Sequence, residues 1–198
     1  MAGYLPDTLL GIDMPDEYAD RGGPGNSYDK TVLWGRRITA LLDAATIAVV
    51  FALGFTLFSR KAGLLGALLY ALAVLPTQLA HFWTMDPYVT FFGAGTLLLA
   101  AMTLRGEKGA GRPTLRLALL FTLLGTCVGL GLASKVTAWP LVLAPLLATA
   151  MRIAIREIPG LGLRWRGERP ALQGHWTSDI SFLCLSLAVA MVVFRIAQ

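Results

Sequence analysis

The chain has 198 residues, of which 56% are hydrophobic and only 15% charged, with a mean hydropathy of +0.63. A water-soluble domain carries roughly 25% charged residues to cover its surface, so this composition excludes an ordinary soluble fold. The formal net charge of +5 does not indicate nucleic acid. Its Lys and Arg stand at the ends of apolar segments and form no basic stripe with exposed aromatics.

Residues 1–30 read as an irregular polar outer segment, punctuated by Pro6, Pro15, Pro24 and the glycines around Pro24. They include no apolar stretch of the signal-peptide kind. From there to residue 198 the pattern is that of an all-α, multi-pass transmembrane bundle of about six spans. The expected spans are 38–58, 64–80, 88–104, 115–133, 136–155 and 180–197. Each is about 17–21 residues long, enough to cross a ~30 Å hydrocarbon layer at 1.5 Å per residue. The runs are Ala- and Leu-rich and do not alternate, which argues against membrane strands.

The breaks at 81–87 and at Ser134-Lys135 are short enough for antiparallel hairpins. The break at 156–179 is longer and carries the interfacial aromatics Trp165 and Trp176. Gly125 and Gly129 form a small-xxx-small pair suited to close helix approach. Cys127 and Cys184 lie within apolar runs and read as small apolar fillers, with no disulfide or zinc spacing.

Alternating the loops gathers Arg60, Lys61, Arg105, Lys108, Arg112, Arg116, Arg152, Arg156, Arg164, Arg166 and Arg169 on one side and leaves only Lys135 on the other. The positive-inside rule places the first group in the cytoplasm. His81, Asp86 and Lys135 then face outward in the plasma membrane. Arg36 and Arg37, ahead of the first span, also fall outside, against the rule.

Asp86 stands out because charge at membrane depth is costly and tends to be paired or functional. With Pro87 after it, Asp86 also reads as a helix N-cap. Lys135 reads either as a snorkelling side chain or as a cation for a phosphate. Arg36 and Arg37 suit a phosphate headgroup, of bulk lipid or of a lipid-linked substrate. Asp43, inside the first run, is placed to pair with one of them. His81 is most simply an interfacial histidine. The sequence has no phosphate loop, nucleophile elbow or metal-ligand cluster; no cofactor is evident, and a divalent ion is left open.

Three stretches in order resemble one family: Arg36–Asp43 (RRITALLD), Leu75–Asp86 (LPTQLAHFWTMD) with Tyr88–Phe92 (YVTFF), and Gly129–Ala138 (GLGLASKVTA). Together they are similar to the polytopic GT-C glycosyltransferases of the protein O-mannosyltransferase and aminoarabinose-transferase type, over roughly residues 28–155. The resemblance implies inverting transfer of a sugar from a polyprenyl-phosphate donor to an acceptor hydroxyl on the outer face. Asp86 matches the family's acidic residue at the hairpin mouth, Lys135 the lysine facing the donor phosphate, and Arg36 the arginine closing the first outer loop.

The family's main catalytic acid follows an N-terminal membrane helix. Asp16-Glu17 superficially resembles that acidic pair, but no membrane helix precedes it here. Family members also continue for several more helices. The expectation is therefore a fragment or a degenerate copy, possessing partners in a lipid-linked sugar donor and membrane lipids, none in nucleic acid, and an open oligomeric state. The alternatives are a small transporter subunit and a non-catalytic membrane protein. Transporters hold ionisable residues at midplane depth, whereas Asp86 and Lys135 fall at span ends.

Overall fold

A computed structural model of the chain describes residues 27–81, 84–104, 113–157 and 176–198. Among them all regular structure is helical: α1 (Ser27–Leu57), α2 (Arg60–Ala71), α3 (Val74–His81), α4 (Asp86–Thr103), α5 (Pro113–Ser134), a 3₁₀ segment (Val136–Val142) leading into α6 (Leu143–Glu157), and α7 (Trp176–Ala197). Four helices are long and apolar enough to cross a membrane: Val32–Leu57, Leu115–Ser134, Val136–Ile155 and Trp176–Ala197.

The expected span at 64–80 is not one helix. It lies in α2 and α3, of 12 and 8 residues, and at ~1.5 Å per residue neither alone reaches across the hydrocarbon. The cause is Pro76, which has no N–H for the carbonyl of Leu72 and whose ring crowds that position. The backbone turns at Leu72 instead, with the Ala73 N–H donating to the Tyr70 carbonyl at 3.1 Å. The expected span at 88–104 is α4, 18 residues long, but its first turn is spent on Asp86, Pro87 and Tyr88. At the other extreme α1 begins at Ser27, inside the segment read as irregular. Arg36 and Arg37 are therefore part of the first helix and do not precede it.

Contacts fix the helix directions. Gly54 of α1 meets Gly63 of α2, where a Cβ on Gly54 would lie 2.7 Å from the Gly63 Cα, and Asp43 meets Tyr70, so α1 and α2 are antiparallel. Between α4 and α5, a Cβ on Gly95 would meet the Cys127 sulfur and one on Gly131 the Phe92 Cβ, again antiparallel. Between α5 and α7 the order is parallel: Gly125 packs on the Ser186 carbonyl, and a Cβ on Gly129 would stand 2.6 Å from the Ala190 carbonyl. The small-xxx-small pair on α5 thus meets a second one, Ser186 and Ala190, on α7. Close backbone approach of this kind supplies the dispersion contact that drives helix association where lipid replaces water.

The core lies beside this crossing. Phe121, Leu124 and Val128 of α5 are fully buried, and the Phe121 ring stacks on Phe182 of α7 at 5.8 Å. The exterior is as apolar as the core. Leu64, Leu65, Leu68 and Leu69 all point outward from α2, and Met191, Val192 and Ile196 from α7. An apolar exterior of this extent marks a surface that faces something other than water. Several buried threonines are satisfied within their own helices, as where Thr46 donates to the Leu42 carbonyl at 2.8 Å and Thr96 to the Phe92 carbonyl at 2.8 Å. That is the economical solution in a medium without hydrogen-bonding solvent.

Candidate functional site

One end of the bundle gathers the start of α4, the α5–3₁₀ junction, the α2–α3 break and the N-terminal half of α1. Asp86 and Lys135 meet there. The Lys135 ammonium donates to Asp86 Oδ1 at 2.7 Å, closing a contact between residues 49 positions apart. Both side chains keep substantial access, 46% for Lys135 and 38% for Asp86. Lys135 reaches this position because the chain leaves α5 in an extended conformation, with φ −156° and ψ 119°, before turning into the 3₁₀ segment.

Asp86 is not the N-cap. Met85 occupies that position without a side-chain bond, and Asp86 is the first residue of α4. A carboxylate in the first helical turn is favoured by the helix dipole, and here it is spent on a partner across the bundle. Pro87 beside it is buried, which fixes the start of the helix against its neighbours.

Arg36 borders a second feature at this end, a groove of about 840 Å³ between α1 and the α2–α3 break. Its lining is mostly Ala, Leu, Ile and Val, with Arg36, Asp43, Thr77 and Gln78 supplying the polar groups. Asp43 takes a partner different from the one expected: among the described residues it is bonded by the Tyr70 hydroxyl, at 2.7 Å, and not by an arginine. Asp43 and Tyr70 also border a smaller cavity of about 110 Å³, closed on its far side by Pro87 and Thr90 of α4. The groove therefore adjoins, through Asp43, the helix turn that carries Asp86.

Arg36, Asp86 and Lys135 thus occupy the same end, and neither Asp86 nor Lys135 lines the groove that Arg36 borders. Arg37 points elsewhere and stacks on the Trp34 ring at 5.1 Å, a cation–π contact suited to an interfacial belt. His81 closes α3; its side chain, together with Asp16 and Glu17, lies outside the described residues.

A charged pair that the sequence reading passed over sits at the opposite end. Arg152 of α6 donates through Nε to Asp179 Oδ1 of α7 at 3.0 Å, and both side chains are fully buried. The Arg152 Nη1 also donates to the Thr103 carbonyl at the end of α4. Arg152, a cytoplasmic loop cation by alternation of the loops, is an internal tie joining three helices. The signal was present: an arginine inside an apolar run and an aspartate at the head of the next are opposite charges at similar depth. Arg60, Lys61 and Arg116 fall toward this same end, while Arg105, Lys108, Arg112, Arg164, Arg166 and Arg169 lie outside the described residues.

No protein-family profile, curated protein or solved structure matches the chain.

Proposed function

We propose that the chain is a membrane glycosyltransferase, or part of one, that moves a sugar from a polyprenyl-phosphate donor to an acceptor hydroxyl on the extracytoplasmic face. The observation that carries this reading is the Asp86–Lys135 contact. Two stretches that resemble the glycosyltransferase motifs, far apart in sequence, meet side chain to side chain, at the end of the bundle that also holds Arg36.

The chemistry follows from the pairing. Lys135 is a compact, half-exposed cation able to meet a phosphate as a point charge. While Lys135 is bonded to it, the Asp86 carboxylate is occupied by the ammonium. A donor phosphate arriving at Lys135 competes for that ammonium and frees the carboxylate. Asp86 then takes the proton of the acceptor hydroxyl as its oxygen bonds to the anomeric carbon from the face opposite the phosphate. The bond from that carbon to the phosphate oxygen breaks, its electron pair leaves with the phosphate, and Lys135 stabilises the charge. Arg36, over the groove that also holds Asp43, Thr77 and Gln78, provides a second cation at the same end of the bundle.

The test is sugar transfer in proteoliposomes, using radiolabelled mannose, glucose and aminoarabinose on undecaprenyl phosphate and a cell-envelope fraction as acceptor. Transfer from at least one donor is expected, falling about 100-fold or more in Asp86→Asn, the range of a lost general base. No transfer from any donor, or full activity in Asp86→Asn, contradicts the reading.

A further inference from the structure

The carboxylate of Asp43 is unused by the chemistry above, yet it lies inside a helix long and apolar enough to cross a membrane. An acidic group at that depth is costly unless it is bonded or serves a ligand. One bond is in place, from the Tyr70 hydroxyl. A carboxylate has about four lone-pair sites, so acceptor capacity remains after Tyr70 is served. Tyr70 has one proton to give and gives it to Asp43, which fixes the orientation of the carboxylate. The side chain borders both the large groove and the small cavity, and so stands between Arg36 on one side and the first turn of α4 on the other.

We infer that Asp43, held by Tyr70, accepts hydrogen bonds from the sugar hydroxyls of the lipid-linked donor and so distinguishes a glycosylated polyprenyl phosphate from the bare carrier. This rests on the glycosyltransferase reading and assigns it a specificity residue. The argument is one of sign. Arg36 attracts a phosphate whether or not a sugar is attached. Asp43 repels a bare phosphate, because like charges oppose one another across a largely apolar groove, but it attracts hydroxyl donors through charge-assisted bonds. A sugar set between the two satisfies both. Once the sugar has been transferred, the carrier keeps its charge and loses the hydroxyls, so Asp43 favours its release.

Binding in detergent micelles, read by native mass spectrometry, tests this with two kinds of probe: undecaprenyl phosphate, and the same lipid bearing mannose, glucose or aminoarabinose. The wild type is expected to prefer at least one glycosylated lipid over the bare carrier. Asp43→Asn keeps the volume and removes the charge, and should erase about tenfold or more of that preference, the worth of one hydrogen bond to a charged group. Its affinity for the bare carrier should hold or rise. Tyr70→Phe, which releases the carboxylate without removing it, should lose part of the preference, and it carries the test if Asp43→Asn does not fold. Arg36→Gln should weaken both lipids alike.

A wild type that binds both lipids equally, or an unchanged preference in Asp43→Asn and Tyr70→Phe, overturns the assignment of Asp43. A wild type that binds no phosphate lipid overturns the glycosyltransferase reading itself.

Discussion

Among the described residues, two ion pairs divide the charged chemistry of the bundle, and their surroundings give them different work. Arg152–Asp179 is fully enclosed. Removing one partner of such a pair strands the other without solvent, at a cost of about 3–5 kcal/mol. Asp179→Ala should therefore lower the thermal unfolding midpoint in detergent sharply, and the double replacement Arg152→Met with Asp179→Leu should recover much of the loss. Asp86–Lys135 is half exposed, and an exposed pair is worth about 1 kcal/mol or less. Lys135→Ala should leave the midpoint nearly unchanged while weakening polyprenyl-phosphate binding more than Lys135→Arg does. Equal loss of binding in the two variants would count against a phosphate contact. Asp86 and Lys135 were readable in the sequence because each interrupts an apolar pattern near its end. That they touch was not, since 49 positions of chain separate them and only the packing of α4 and α5 brings them together. Tyr70 gave no signal at all, because a tyrosine in an apolar run is ordinary until its partner is known.

At the scale of elements, glycine contacts set how closely the helices approach. A side chain on Gly125 would run into the Ser186 carbonyl, so Gly125→Val must force α5 and α7 apart. Overpacking of this kind costs about 1–3 kcal/mol, seen as a lower unfolding midpoint. Gly66 is the control. A Cβ there would meet only a Val50 methyl, at 3.6 Å, so Gly66→Ala should be neutral or stabilising by up to about 1 kcal/mol through helix propensity. Hydropathy located α5, α6 with its 3₁₀ lead, and α7 to within a few residues, because their length and apolar content coincide. It placed the end of α1 but not its start, since α1 begins at Ser27 and not near residue 38. It failed over 64–80. Averaging hydropathy along a run does not register a single Pro76, whose effect is on the backbone hydrogen bonds and not on solubility in lipid.

For the molecule as a whole, the helix directions carry Asp86 and Lys135 to one end and Arg60, Lys61 and Arg152 to the other. If the bundle crosses a bilayer, Asp86 and Lys135 stand toward one face and Arg60, Lys61 and Arg116 toward the other, the side that the positive-inside rule expects for those three cations. With Cys127 and Cys184 replaced by Ala, Val136→Cys should react with a membrane-impermeant maleimide in intact cells, and Lys61→Cys only after lysis. Labelling of both in intact cells would refute the topology.

The most direct test of the site is to compare undecaprenyl phosphate with undecaprenol, the same chain without its charge, for binding to wild type and to Lys135→Ala. The phosphate should be retained by the wild type and the alcohol should not, with most of that difference gone in Lys135→Ala. Equal binding of alcohol and phosphate, or a difference that survives the loss of Lys135, would mean that Lys135 does not recognise a lipid phosphate.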